Sequence, residues 1–109
     1  MLIDLRNMEE AIIPHMRGGE KEMAVKSWND EKTKVMLARL IPGASVGLHT
    51  HETNCEVIYV LEGSGKVLDK GEYVRISAGQ SQYCPKGDDH ALINDGDRDL
   101  VFFAVIPEQ

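Results

Sequence analysis

The sequence predicts an all-β domain, a barrel or sandwich of short strands. Three observations carry this. Apolar-rich runs recur at Val35–Ile41, Val46–Thr50, Val57–Leu61, Gly65–Leu68, Tyr73–Ile76, Gln82–Cys84, His90–Ile93 and Leu100–Ile106. The breaks between them hold Gly, Pro, Asp or Asn, residues that reverse a chain between strands. The 109 residues, 42% of them hydrophobic, suffice for one core and are too few for two.

Taken in order, residues 1–17 mix apolar pairs (Leu2-Ile3, Ile12-Ile13) with acids, and Pro14 stops any helix begun near Met8. A short helix and then a strand fit this stretch. Gly18-Gly19 gives a turn. Residues 20–34 have fair helical propensity, and their charges read as a solvated face around Met23-Ala24-Val25 and Trp28. Pro42-Gly43 is a turn. Glu62-Gly63-Ser64-Gly65 and Asp95-Gly96-Asp97 read as hairpin turns. There is no internal repeat, and residues 64–78 leave no room for an inserted domain.

The chemistry is concentrated in Gly43–Gly63. His49 and His51 alternate, so on a strand they share a face, roughly 6–7 Å apart at the backbone. The polar stretch Glu52-Thr53-Asn54 is expected to close a hairpin that sets Glu56 across from them. Two imidazoles and a carboxylate on paired strands begin a coordination shell for a divalent metal. His90, after the Pro85-Lys86-Gly87 turn, completes it.

The spacing Gly43, His49, His51, Glu56, Gly63 and then Gly79, Pro85, Gly87, His90, Asn94 resembles the two motifs of the cupins, with all ten positions filled. The resemblance implies a double-stranded β-helix, or jelly-roll, barrel. It implies His49, His51, Glu56 and His90 as ligands of one divalent transition metal, with manganese, iron, nickel or zinc as candidates. It also makes residues 20–29 a strand ending at the Asn29-Asp30 turn. The chain looks most similar to minimal single-domain bacterial cupins, which often form homodimers through N-terminal strands. Residues 31–109 would then be the barrel and residues 1–30 an arm for a dimer contact, with too little periodicity for a core element.

Strand parity places Ser45 and Gly47 with His49, Ile58 and Val60 with Glu56, and Leu92 with His90. The wall so defined is mostly apolar and suits a small organic ligand. Arg39, a cation in an apolar strand, is read as an outward arginine, with pairing to an anionic substrate as the alternative reading. Tyr83 is a candidate proton donor; Tyr59 falls on the face opposite Glu56. His15 reads as a surface residue and Asn94 as a hydrogen-bonding tie at the barrel end. Cys55 and Cys84 are expected to be free thiols with structural roles, Cys55 pointing away from the metal.

A net charge of −6, from 18 acids against 12 bases, argues against a nucleic-acid partner. No apolar run is long enough to span a bilayer, and the first residues show no secretory signal, so no membrane partner and a cytoplasmic setting are expected. The expected function is a metal-dependent enzyme of dioxygenase, isomerase, decarboxylase or lyase type, acting on a small polar molecule chelated at the metal. The alternative is a non-catalytic module that binds or senses such a ligand. Oxalate-degrading cupins tend to carry a polar residue just before His-x-His; Val46, Gly47 and Leu48 stand there, which argues against oxalate chemistry.

Overall fold

The computed structural model describes residues 1–109. Apart from short 3-10 turns at Leu5–Asn7 and Met16–Gly18 the chain is built almost wholly of strands. They are β1 (Ala11–Pro14), β2 (Glu22–Asn29), β3 (Thr33–Leu40), β4 (Ser45–Thr50), β5 (Glu56–Glu62), β6 (Ser64–Asp69), β7 (Glu72–Ser77), β8 (Ser81–Cys84), β9 (Asp89–Ile93) and β10 (Leu100–Pro107). Two antiparallel sheets face one another, in the orders β1-β2-β3-β10-β5-β8 and β4-β9-β6-β7. This is the expected all-β jelly roll.

Three expected hairpins are instead passages between sheets. β4 and β5 belong to different sheets, as do β5 and β6, and β9 and β10. The Glu52–Asn54 turn therefore does not pair the histidine strand with the Glu56 strand; it carries the chain across the barrel. Local turn chemistry is the same for a hairpin and a crossover, and only long-range pairing separates them. At the β5–β6 passage Gly63 has φ +82°, and a Cβ there would strike the Asp99 carbonyl.

The core follows from alternation. β3 and β10 pair from Thr33↔Pro107 to Leu40↔Leu100, so Met36, Ala38 and Leu40 point inward beside Leu100, Phe102 and Ala104. Ile58 and Val60 of β5, Val67 of β6, Ile76 of β7 and Leu92 of β9 close the layer. Phe102, 1% exposed, is the largest fully buried side chain, and truncating it to alanine should cost about 3–5 kcal/mol. Contrary to the expectation for residues 1–30, Met23 and Val25 of β2 are core members. β2 pairs with β3 from Met23↔Leu40 to Asn29↔Lys34, and its turn is held by Asp30, whose carboxylate accepts from the Lys32 and Thr33 amides. Pro14 terminates β1, a strand at the sheet edge, where a missing N–H is tolerated.

Two features bear on the site. A 3-10 turn at Met16–Gly18 lies as a strap against β4, and it can come so close only because Gly19 and Gly47 lack side chains. A Cβ on Gly47 would meet the Arg17 carbonyl, and one on Gly19 the Ser45 carbonyl. At the other end of the barrel Asn94 is fully buried. Its Nδ2 donates to the carbonyls of Leu40 and Arg98, both at 2.8 Å, and its Oδ1 accepts from the Gly96 amide. It acts as the tie expected of it.

Candidate metal centre

His49, on β4, lies opposite His90, on β9, as cross-strand neighbours. His51 follows just beyond β4, where its amide donates to the Asp88 carbonyl and its carbonyl accepts from the Gly87 amide. The Pro85–Gly87 turn thus fixes His51 as well as launching His90. Glu56 opens β5 in the facing sheet. The site therefore straddles the barrel, three imidazoles against one carboxylate.

These four side chains converge, with their ligand atoms all within 4.8 Å of one another. His51 Nε2 and His90 Nε2 are 2.9 Å apart, and each is 3.0 Å from Glu56 Oε1; His49 Nε2 is 4.0 Å from it. An octahedral ion with bonds of about 2.1 Å holds adjacent ligand atoms about 3.0 Å apart and opposite ones about 4.2 Å apart. The set needs well under an ångström of closure.

The outer ring nitrogens say which tautomers are present. His49 Nδ1 donates to the Gly47 carbonyl at 2.8 Å, His51 Nδ1 bonds Asn54 Oδ1, and His90 Nδ1 bonds Gln82 Oε1 at 2.9 Å. The Gln82 amide is itself oriented, because its Nε2 donates to Asp69 Oδ1 at 3.2 Å. A carboxylate accepts only, so the amide oxygen must face His90. With three Nδ1–H groups turned outward, three Nε2 lone pairs point at one volume, the arrangement in which imidazole binds metal. The cluster can hold a divalent ion. Neutral imidazoles and one carboxylate would leave it a net single positive charge and, in an octahedral shell, two open positions.

In the metal-free protein protons must bridge the same atoms. Burial drives the Glu56 carboxyl toward its neutral form, but His51 and His90, each 3.0 Å away, together with the nearby His49 ring, more than offset this and hold its pKa well below the usual carboxylate range. The bond to Glu56 raises the pKa of His51 against its own desolvation.

A cavity of about 360 Å³ opens onto the cluster. Val46, Ile58, Leu92 and Phe102 contribute to its apolar wall; of the expected residues Ile58 and Leu92 line it, and Ser45, Gly47 and Val60 do not. Val46, not Gly47, shares the interior with His49. Val46 pairs with Leu92 and His49 with His90, so β4 spends one more residue than β9 over this interval. That β-bulge inverts the parity upstream of His49. The mouth is charged, with Arg17 from the strap and Lys34, Asp30 and Glu108 from the β2–β3 end.

The remaining candidates lie elsewhere. Arg39 faces outward and pairs with Glu10 at 2.9 Å and Asp99 at 3.3 Å; the Glu10 bond raises its pKa. Tyr83 is 54% exposed, because strand alternation puts its neighbours Gln82 and Cys84 inside. Neither reaches the cluster. His15 bonds the Gly19 carbonyl, outside the site. Cys55 and Cys84 are buried free thiols; burial, then Asp88 and Glu56, push the Cys84 pKa up to about 11, so it stays protonated. Asn54, Gln82, Asp69 and Arg17 were not flagged by sequence. Only Asn54 carried a signal, as an amide three residues from His51.

Residues 36–106 match the cupin domain family, and the chain belongs to it. Over 100 residues it is 39% identical to an oxalate-binding protein of Thermotoga maritima, spanning 86% of this chain and 83% of the relative. The crystal structure of a predicted oxalate decarboxylase from Thermotoga maritima superposes with a TM-score of 0.93 at 34% identity, over the whole of both chains. The polyketide cyclase RemF of Streptomyces resistomycificus shares the fold, with a TM-score of 0.81 at 22% identity over 98% of this chain and 78% of that one. No helix is long and apolar enough to cross a membrane.

Proposed function

We propose that the chain holds one divalent transition metal with His49, His51, Glu56 and His90, and on it captures and transforms a small chelating carboxylate of the oxalate type. The observation that carries this reading is the convergence of three Nε2 lone pairs and one carboxylate oxygen on a single volume at a cavity floor. The bound ion would supply Lewis acidity and two open positions for a bidentate ligand. The chain's residues orient the shell through Gly47, Asn54 and Gln82, and line the approach with apolar side chains that exclude competing water. Apolar residues before His-x-His weighed against oxalate; 39% identity to a protein named for binding it weighs the other way, and over far more of the chain.

A second reading, binding without turnover, is favoured by the cavity wall. Splitting oxalate into formate and carbon dioxide consumes one proton. Tyr83 and Arg39 are outside, and the carboxyl groups of Asp30 and Glu108 stand at the mouth. Of residues 1–30, the part ahead of β2 would serve a homodimer contact, a reading supported by the exposed Ile12 on edge strand β1.

Metal content by mass spectrometry, beside a His49→Ala, His90→Ala double variant, tests the site. About one equivalent in the parent and none in the variant is expected. Oxalate is then added to the loaded protein. Formate release establishes the enzyme, saturable binding without formate establishes the binding module, and no binding of either kind defeats both.

A further inference from the structure

We infer that Arg17, delivered by the N-terminal strap, is the residue that selects dianionic over monoanionic chelating ligands at the cluster. The inference rests on the reading above and adds the charge of the ligand to it.

Arg17 lines the same cavity as His49, Glu56 and His90. Its side chain makes no hydrogen bond or ion pair with the protein, unlike Arg39 and Arg75, which each hold carboxylates. The backbone that presents it is held firmly: its carbonyl abuts Gly47, the residue whose own carbonyl accepts from His49 Nδ1. Arg17 adopts φ +53°, and His15 and Lys21 beside it are also left-handed. Such strained residues persist only where the surroundings over-determine them. Here the Gly19 and Gly47 contacts and the bond from the His15 amide to the Lys21 carbonyl do so.

Charge decides what this cation is for. A dication with Glu56 carries a net single positive charge. A monoanionic chelate such as glycolate neutralises it and needs nothing more. A dianion such as oxalate leaves one negative charge in an apolar cavity, which is costly unless paired. Arg17 supplies the missing positive charge, and a guanidinium matches a carboxylate edge through paired N–H donors. β4 supplies no polar group there, since Val46 is apolar and Gly47 has no side chain. Lys34, the other cation of the cavity, stands at the β2–β3 end, where Asp30, Glu31 and Glu108 also line the wall and offset it.

The test is calorimetric titration of oxalate and of glycolate into the full chain loaded with manganese(II), as wild type, Arg17→Gln, Arg17→Lys and Lys34→Gln. Arg17→Gln should weaken oxalate by roughly 10- to 100-fold while leaving glycolate and manganese uptake within about twofold. Equal manganese uptake also shows that the variant is folded. Arg17→Lys should restore part of the oxalate affinity, and Lys34→Gln should leave it within about twofold. Oxalate binding unchanged in Arg17→Gln, equal losses for both ligands, or a loss confined to Lys34→Gln overturns the inference and spares the proposed function. A wild-type protein that takes up manganese but no oxalate overturns the proposed function, and the inference with it.

Discussion

The two ends of the barrel handle buried polar groups in opposite ways. At the closed end Asn94 spends all its hydrogen-bonding capacity on backbone, tying Leu40 at the end of β3 to the Arg98 and Gly96 loop. There the side chain holds the chain. At the open end the chain holds the side chains. Gly47, Asn54 and Gln82 take up the outer nitrogens of three imidazoles, and the inner nitrogens are left facing Glu56 and one another. Asn94 is a polar group satisfied for stability. The inner atoms of the cluster are paired only with one another, and these are contacts a divalent ion could replace.

Substitutions at the two ends should therefore separate stability from metal affinity. The largest effect is expected from Asn94→Ala, which strands the buried Leu40 carbonyl and removes the bonds to the Arg98 carbonyl and the Gly96 amide. Unfolding by denaturant should show a loss of about 4 kcal/mol, with metal stoichiometry unchanged in the folded protein. Next is Gln82→Leu, which removes the acceptor from His90 Nδ1 and frees the wrong tautomer. Metal affinity should fall about 10- to 100-fold, as read by competition with a chelator. Asp69→Asn should follow at a smaller loss, because it loosens the amide of Gln82 without removing it. Proton NMR of the His90 ring in metal-free protein should show mixed tautomers in both variants and a single one in the parent.

The smallest effect concerns pH in the metal-free protein. Glu56, with its pKa lowered from 4.5, stabilises the fold above about that pH and loses this as pH falls through its folded value. His51, raised from 6.5, stabilises it below about 6.5 and loses this as pH rises through its folded value. These two groups together favour the interval between about 4.5 and 6.5, so melting temperature should decline on going above it. A divalent ion displaces the bridging protons, so in loaded protein the trend should reverse. A metal-free protein that gains stability steadily from pH 6 to 8 would contradict the hydrogen bonding at the open end.

The four residues of the cluster were legible in the sequence through their spacing: His49, His51, Glu56 and His90 stand on a glycine and proline framework that few chains would match. The apolar runs from Val35 to Ile106 likewise announced the strands. What was not legible depended on pairing across long separations. Glu52–Asn54 looks like a hairpin until β5 is seen in the other sheet. Ser45 and Gly47 look inward until the bulge is seen, for which only the pairing with Leu92 and His90 gives proof. Met23 and Val25 lie in a charged stretch whose core face appears once β2 lies beside β3. Gln82 and Tyr83 are adjacent, and the choice of which one enters the barrel is fixed by Glu56↔Cys84 pairing.

The bulge in β4 carries a consequence for how such a site could arise or be lost. One surplus residue, Gly47, turns its carbonyl toward His49 and offers its bare Cα to the strap. Deleting it would restore an even count against β9 and leave His49 still opposite His90. The same deletion would take away the acceptor that sets the His49 tautomer and the seat on which Arg17 rests. A length change of a single residue, the smallest a gene can make, would thus switch ring orientation and strap position together and spare the barrel. In this chain the strap that carries Arg17 and the ring of His49 lean on the same residue.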